Sequence, residues 1–304
     1  MNLRIGMVGL DTSHAAAFTR LLNDAGGIHL VRGGNVVKAF PGGSPDFELS
    51  LSRIGKITDE VRRYGVEIVD TLEEAADQTD AILLESVDGG THLEQFRRLA
   101  GYKKPVFIDK PFSLSSADAD EMNGISKMHG TPVMSASALR FAEGLRQVLT
   151  RSDKGEVIGA DCFGPMELQG GQGYFWYGIH AVEMLFAILG EGAEAVTAES
   201  NGTHDCLVGR WRDGRFGTVR GNRSGNQQFG ALVHFEKGTE YVDVGAHSKP
   251  FYVSLLEQVI DFFNDGKSKV GMSETLEVIR FIEAANESRA SGLTVGLKDI
   301  LKRK

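Results

Sequence analysis

Cysteine, proline and tryptophan are scarce in this chain. Its 304 residues include 2 cysteines, 7 prolines and 2 tryptophans. Cys162 and Cys206 lie far apart and outside any C-x-x-C motif, so they suggest neither a disulfide framework nor a thiolate metal site. No apolar run reaches the ~18 residues that would indicate a membrane span. Met1 and Asn2 lead directly into a predicted strand without a signal segment, so we expect a cytoplasmic protein.

Positive charge is also in short supply. Lysine and arginine total 33 against 41 acidic residues, which gives a formal net charge of −8, and no long basic run occurs. Such a chain lacks the electrostatic footprint of nucleic-acid binding, and we expect a small-molecule ligand instead. Hydrophobic residues make up 41% of the chain. Because single cores tend to stop growing near ~250 residues, two domains are expected.

Short apolar runs alternate with amphipathic stretches over the first 137 residues. Predicted strands lie at 3–9, 35–40, 67–69, 81–86, 106–109 and 133–136, and predicted helices at 15–22, 57–64, 72–78, 93–100 and 116–129. Repeated βα units form a parallel sheet with helices on both faces and right-handed connections. We therefore predict an α/β chain whose residues 1–137 form a Rossmann-type, doubly wound domain.

Strands dominate after residue 138. Predicted strands lie at 157–163, 195–200, 206–211, 217–221, 229–235 and 239–244, and predicted helices at 140–150, 178–189, 253–264 and 273–291. Turn signals between consecutive strands indicate antiparallel pairing. We predict that residues 138–304 form an α+β domain built on a mainly antiparallel sheet, for substrate binding and oligomerisation.

Three motifs resemble one known family. Residues 103–112 are similar to a strand that ends in Glu-Lys-Pro, here with Asp109 in place of the glutamate. Residues 87–92 stand where that family has a Thr-Pro-x-x-x-His turn, and Gly178-Ile179-His180 resembles the motif that carries its catalytic histidine. The chain thus resembles the Gfo/Idh/MocA family of NAD(P)-dependent oxidoreductases over nearly its whole length.

The resemblance implies a dehydrogenase that acts on the CH-OH group of a sugar, polyol or related hydroxy compound. Hydride transfer from an alcohol requires a base for the hydroxyl proton and a cationic or donor group near the developing oxyanion. The resemblance assigns these roles to Lys110, which would contact both nicotinamide and substrate, and to His180, which would exchange the proton. Family members commonly pair through the second sheet, which implies a homodimer or homotetramer.

The phosphate-binding loop departs from the family. The fingerprint G-x-G-x-x-G keeps only its first glycine, Gly9. The carboxylate of Asp11 would repel phosphate, or would cap the amides of Ser13 or His14 that a cofactor needs. The hydroxyls of Thr12 and Ser13 and the imidazole of His14 offer alternative phosphate contacts.

The second predicted strand ends at Phe40 without the usual ribose-binding acid. Ser44, in the following loop, offers a place for a 2′-phosphate, which mildly favours NADP over NAD, although a plain Gly/Pro turn is the alternative. The predicted cofactor-binding residues are Gly9, Leu10, Asp11, Thr12, Ser13, His14, Phe40, Ser44, Ser86, Asp88, His92, Asp109 and Lys110.

Trp176 stands where the family has an aspartate four residues before the histidine. An indole cannot accept a proton from imidazole, whereas Glu183, one helical turn after His180, is either a substitute partner or a structural residue. The altered loop and Trp176 leave two alternatives: a non-redox lyase or isomerase using His180 and Glu183, or an inactive ligand-binding or regulatory protein. Because no tight ligand spacing occurs, no metal is predicted. The predicted substrate-binding residues are Lys110, Arg140, Trp176, Tyr177, His180 and Glu183.

Overall fold

The computed structural model describes residues 2–169 and 171–302. The residues outside this description are Met1, Gly170, Arg303 and Lys304. They include the first residue of the first predicted domain and the last residue of the second. In chain order its first part contains β1 (Leu3–Val8), α1 (Ser13–Asn23), β2 (Gly34–Phe40), α2 (Glu48–Arg62), β3 (Glu67–Ile68), α3 (Leu72–Ala76), β4 (Ala81–Leu84), α4 (His92–Leu99), β5 (Val106–Ile108), α5 (Ser116–His129) and β6 (Val133–Ser135). Then follow α6 (Glu143–Leu149), β7 (Val157–Pro165), α7 (Gly178–Leu189), β8 (Ala193–Ser200), β9 (His204–Trp211), β10 (Phe216–Asn222), β11 (Gly230–Phe235), β12 (Gly238–Asp243), α8 (Phe251–Asp265), α9 (Met272–Ser291), β13 (Val295–Gly296) and α10 (Leu297–Leu301).

Two compact units share the chain. The first contains the residues up to Ser113, together with Asp118–Ala136 and Tyr252–Met272. The second contains Leu114–Ala117, Ser137–Phe251 and the residues from Ser273 onward. Most of α8 therefore packs with the first unit, whereas the predicted division had assigned all of 138–304 to the second. The reason is that α8 packs closely on the first unit. The Ile260 side chain of α8 lies so near Gly33 that a Cβ added to Gly33 would lie 2.6 Å from it.

The first unit is built on a parallel sheet, as predicted. Its strand order in the described residues is β3-β2-β1-β4-β5-β6, and every neighbouring pair is parallel. All four residues of β4 are buried, as expected for a central strand covered by helices on both faces. The order reverses between β1 and β4, and in such sheets ligands bind beyond the carboxyl ends of the strands at this switch point.

The second unit is built on a mixed sheet with the order β12-β11-β7-β10-β9-β8-β13 in the described residues. Every neighbouring pair is antiparallel except β7 and β10, so the prediction of a mainly antiparallel sheet is confirmed. One face is buried and carries Cys162, Val219 and Leu207 on adjacent strands. The opposite face exposes Leu232 and Tyr241, which are paired across β11 and β12.

Some of the described helices begin with a side-chain cap, whereas others, such as α2 and α7, have none. Thr71, for example, accepts a hydrogen bond from the backbone N–H of Glu74 and so satisfies one of the open donors of α3. In the second unit, Phe281 of α9 packs with Phe186 and Trp211 in an aromatic cluster. Within the described residues, no helix is both long and apolar enough to span a membrane.

Candidate functional site

The carboxyl ends of β1, β4 and β5 carry the chemistry-bearing residues of the first unit. The residues that directly follow these strands are Gly9, Glu85 and Asp109. Gly9 has a φ of 93°, and a Cβ at this position would lie 2.4 Å from the backbone nitrogen of Ser86. Only glycine allows the first loop to approach the end of β4 this closely.

Asp11 does not cap the first helix, contrary to one of the two roles expected for it. Its Oδ1 accepts a hydrogen bond from the Val87 backbone N–H at 3.0 Å, and its Oδ2 accepts one from the Ser50 hydroxyl at 2.6 Å. Thr12 is the capping residue and accepts from the backbone N–H of His14 at 3.4 Å. Burial raises the pKa of Asp11, although the hydrogen bonds from Ser50 and Val87 oppose this rise.

The loop after β2 lies across the first loop. The backbone N–H groups of Gly9 and Leu10 donate to the carbonyl oxygens of Phe40 and Pro41 at 3.0 and 2.7 Å. In this fully described turn, Ser13 is the exposed residue and Gly9, Leu10, Asp11, Thr12 and His14 are buried.

Ser44, which was predicted to bind a 2′-phosphate, forms hydrogen bonds within the protein. Its hydroxyl donates to Asp88 Oδ2 at 2.8 Å, and its backbone N–H donates to the Ser50 hydroxyl at 2.8 Å. Asp88 Oδ1 accepts from the backbone N–H of Gly90 at 3.0 Å. A carboxylate beside the Ser44 hydroxyl disfavours a further phosphate at this position.

Asp109 and His14 form a buried pair at the end of β5. His14 Nδ1 lies 2.7 Å from Asp109 Oδ2, while Asp109 Oδ1 accepts from the backbone N–H of Lys110 at 2.8 Å. Burial by itself would raise the pKa of Asp109, but His14 and Lys110 outweigh it and bring that pKa to about 2. His14 thus faces Asp109, and the side chain of Lys110 is half-buried beside this pair.

His92 is fully buried and holds two loops together. Its Nδ1 lies 3.0 Å from the carbonyl oxygen of Pro111, and its Nε2 lies 2.9 Å from that of Ser86. The ring therefore joins the segment after β4 to the segment after β5. His92 thereby positions Pro111, the residue that directly follows Lys110.

In the second unit, His180 stands in the first turn of α7. Its Nδ1 lies 2.7 Å from the Ser137 hydroxyl. The rings of Tyr177 and Phe229 meet the imidazole edge-on at 5.6 and 5.7 Å. Ser137 is held in turn, because its hydroxyl also accepts from the backbone N–H of Leu139 at 3.3 Å.

Glu183 is a structural partner of Arg140 and does not replace the missing aspartate. Arg140 Nη1 donates to Glu183 Oε2 at 2.6 Å, and Arg140 Nη2 binds Glu274. The Arg140 and Glu183 side chains are only 7% and 5% exposed. Burial raises the pKa of Glu183 and the Arg140 guanidinium opposes the rise. Of the other predicted substrate residues, Trp176 is buried and Tyr177 is partly exposed.

Comparisons with known proteins agree with the fold described above. Residues 3–137 match the model of the GFO_IDH_MocA family, described as an oxidoreductase family with an NAD-binding Rossmann fold. Residues 3–137 therefore form a Rossmann domain of this family's type. For this part of the chain, the match confirms the resemblance that the sequence motifs indicated. No curated protein matches the chain by sequence.

Solved structures share the fold of nearly the whole chain. A probable dehydrogenase from Thermotoga maritima is 20% identical, with a TM-score of 0.79 over 98% of this chain and 100% of that one. The scyllo-inositol dehydrogenase of Lactobacillus casei, solved with NAD(H) and scyllo-inositol, is 13% identical, with a TM-score of 0.79 over 98% and 100%. A myo-inositol dehydrogenase from Corynebacterium glutamicum is 16% identical, with a TM-score of 0.78 over 98% and 99%.

The residues at the switch point fit a dinucleotide, with one restriction. The buried hydroxyl of Ser86, next to Gly9, has no hydrogen-bond partner among the described residues and can donate to a bound group. Ser13 is exposed at the start of α1, where open amides and the helix dipole favour an anion. The Ser44–Asp88 hydrogen bond is the restriction, because it engages the Ser44 hydroxyl that an additional 2′-phosphate would need.

A groove of about 500 Å³ between α1 and α2 is lined by several positively charged side chains. Arg20, Arg53 and Lys56 line it together with Ser13, and Glu60 is the acidic residue on its wall. This excess of positive over negative side chains favours an anion in the groove.

Four residues at these two sites were missed by the sequence reasoning. Glu85 carried a signal, since a carboxylate directly follows the buried strand β4. Ser50, Ser137 and Tyr252 carried none, because each reaches its partner through contacts far apart in the chain.

Proposed function

We propose that the protein is an NAD(H)-dependent oxidoreductase that converts a hydroxyl group of a sugar, polyol or related compound to a carbonyl group, or the reverse. The observation that carries the proposal is the position of Lys110. It follows β5 at the carboxyl edge of the parallel sheet, the edge that also holds Gly9, the unsatisfied Ser86 hydroxyl and the start of α1. Ligands of doubly wound sheets bind at this edge.

NAD is preferred over NADP in this proposal, which reverses the mild preference drawn from the loop after β2. Asp88 accepts the hydrogen bond of Ser44 and brings negative charge to the position that a 2′-phosphate would need. The proposed contacts are the Ser86 hydroxyl and the first turn of α1 at Ser13. Asp11 is turned toward Val87 and Ser50 and leaves the Ser13 amide for the cofactor.

Lys110 and His180 are the proposed catalytic residues. A bound nicotinamide supplies the hydride acceptor. The Lys110 ammonium donates a hydrogen bond to the reacting oxygen and stabilises its negative charge. His180 exchanges the hydroxyl proton, and Ser137, bonded to Nδ1, orients the ring so that Nε2 is the nitrogen that does so. The two residues lie in different units, and their joint action on one substrate stays a prediction.

The non-redox alternative loses its main support. It required Glu183 to act with His180, but Glu183 is bound to Arg140 and to the backbone N–H of Ser137. A carboxylate whose oxygens are engaged by a guanidinium and a backbone N–H is poorly placed to act on a substrate beside His180. The third reading, an inactive binding protein, is an outcome of the experiment below.

We also propose that the chain forms a homodimer or homotetramer through the open face of its second sheet. Leu232 and Tyr241 are 36% and 54% exposed, and the Phe163 ring stacks on the Tyr241 ring at 6.4 Å. Val208, on β9, is exposed on the same face. A sheet face that exposes several apolar side chains in this way is a suitable isologous contact.

Calorimetric titration with NAD, NADH, NADP and NADPH tests the cofactor, and a panel of polyols and sugars with absorbance at the nicotinamide band tests the reaction. We expect NAD or NADH to bind, and Lys110→Ala to reduce turnover by at least ~100-fold with an unchanged circular dichroism spectrum. Lys237→Ala, at an exposed turn, is the matched control and should keep full activity. If no nucleotide binds, or if Lys110→Ala retains turnover, the proposal is wrong; binding of a sugar without any turnover would favour the inactive binding protein.

A further inference from the structure

Three ionisable side chains meet behind the carboxyl edge of the first sheet. Glu85 follows β4, Asp109 follows β5, and His14 lies in the first turn of α1. One ligand atom from each of the three lies within 4.8 Å of the other two. All three residues are buried, with His14 the most exposed at 8%. We call them the His14 cluster.

Glu85 is the anomaly in this cluster. The residue is fully buried, and neither of its carboxylate oxygens has a hydrogen-bond partner among the residues that the structure describes. Burial and the nearby charge of Asp109 raise the pKa of Glu85, while Lys110 opposes the rise. Native proteins rarely leave a buried carboxyl without a partner, and a bound ion is one of the few explanations for such a group.

The other two members are already oriented as metal ligands usually are. The His14 ring stacks on Phe18 at 5.6 Å and meets Tyr252 edge-on at 5.1 Å, so its plane is fixed. Asp109 accepts the Lys110 backbone N–H through Oδ1, which leaves Oδ2 facing His14. Outer contacts of this kind commonly fix the ligands of metal sites.

We propose that the His14 cluster binds one divalent transition-metal ion, Zn²⁺ or Mn²⁺, through an imidazole nitrogen and two carboxylates. Both ions accept this mixture of nitrogen and oxygen ligands at about 2.0–2.2 Å, so ligand atoms now within 4.8 Å need only small side-chain movements to reach one ion. The ion supplies the partner that the Glu85 oxygens lack and neutralises two adjacent carboxylates. It also links the first turn of α1 to the ends of β4 and β5. This inference does not depend on the proposed redox reaction.

The test uses the full chain, stripped with a chelator and titrated calorimetrically with ZnCl₂ and then with MnCl₂. We expect one ion per chain, and a loss of affinity of at least ~100-fold in Glu85→Gln, which keeps the shape of the side chain but removes its charge. The matched control is Asp161→Asn, which alters a carboxylate that pairs with His234 at 2.7 Å on the second sheet. It should bind the ion as the unaltered chain does.

Thermal unfolding separates loss of the ion from loss of the fold. Without metal, Glu85→Gln should melt at or above the temperature of the unaltered chain, because the neutral amide removes a buried acidic group next to the charge of Asp109. Zn²⁺ should raise the melting temperature of the unaltered chain and leave that of Glu85→Gln unchanged. If Glu85→Gln does not fold, Asp109→Asn is measured in the same way. Absence of binding to the unaltered chain, or equal binding by the cluster variant, would overturn the proposal and indicate that Glu85 carries a proton instead.

Discussion

Replacing Arg140 by methionine tests whether the buried ion pair supports the fold of the second unit. Methionine keeps most of the apolar stem of Arg140 but leaves Glu183 without its cation. Glu274, the second partner, is 18% exposed and can turn toward water, so one stranded carboxyl sets the cost. Breaking a buried pair by removing one partner typically costs about 3–5 kcal/mol.

The pH dependence follows from the stranded carboxyl. Glutamic acid in an unfolded chain ionises near pH 4.3, so holding one protonated costs about 4 kcal/mol at pH 7 but only about 1 kcal/mol at pH 5. In the variant, burial without Arg140 keeps the pKa of Glu183 above its unfolded value. The stability of the variant is then highest below the pKa that Glu183 has in the unfolded chain, and it falls as the pH rises above that value. Because the pKa of Glu183 is already raised in the unaltered chain, we expect a loss of at most about 4 kcal/mol at pH 7 and at most about 1 kcal/mol at pH 5.

Chemical denaturation followed by tryptophan fluorescence measures this difference. Both tryptophans, Trp176 and Trp211, are buried in the second unit and report its unfolding. Arg210→Met is the control, since Arg210 is exposed and lies 3.9 Å from Glu194; it should change stability by less than about 0.5 kcal/mol. A loss in Arg140→Met that is equal at the two pH values, or below about 1 kcal/mol at pH 7, would refute the assignment of Glu183 as a buried charged partner.

Two further predictions concern the second unit. Ser137→Ala removes the partner of His180 Nδ1 and should lower kcat about 10-fold with little change in KM, while Ser137→Thr restores most of it. Steady-state kinetics over a pH range checks this, and an unchanged pH profile in Ser137→Ala would contradict a positioning role. Leu232→Glu places a charge on the open sheet face and should shift the chain from oligomer to monomer in light scattering. A chain that is monomeric before the change would contradict the proposed interface.

The sequence predicted the sheets well because each strand depends on a local pattern. The buried run Ala81–Leu84 indicates a central strand by itself, and turn signals between later runs indicate antiparallel pairing. The location of α8 could not be predicted in the same way. Its apolar periodicity predicts a helix at 253–264 but does not reveal which of the two units that face contacts, and the answer came from Ile260 beside Gly33.

The site was less predictable because its side chains choose partners from distant parts of the chain. Asp11 was expected to cap α1, since aspartate is a good capping residue next to a helix start. Its actual partners, Ser50 and Val87, lie 39 and 76 residues away, and Thr12 takes the capping role. Glu183 shows the same effect. Its partner is Arg140, which lies outside the helix, and not its helical neighbour His180.

Two departures from the family motifs compensate for each other. His14 stands at the last glycine of the phosphate-binding fingerprint, and Asp109 stands where the family has glutamate. A glycine at that point normally allows the helix to pack closely on the strand. An imidazole there needs room and a partner, and aspartate, one methylene shorter than glutamate, provides both, because its Oδ2 lies 2.7 Å from Nδ1. Restoring only one of the two family residues would therefore either crowd the imidazole or leave the buried carboxylate of Asp109 without it.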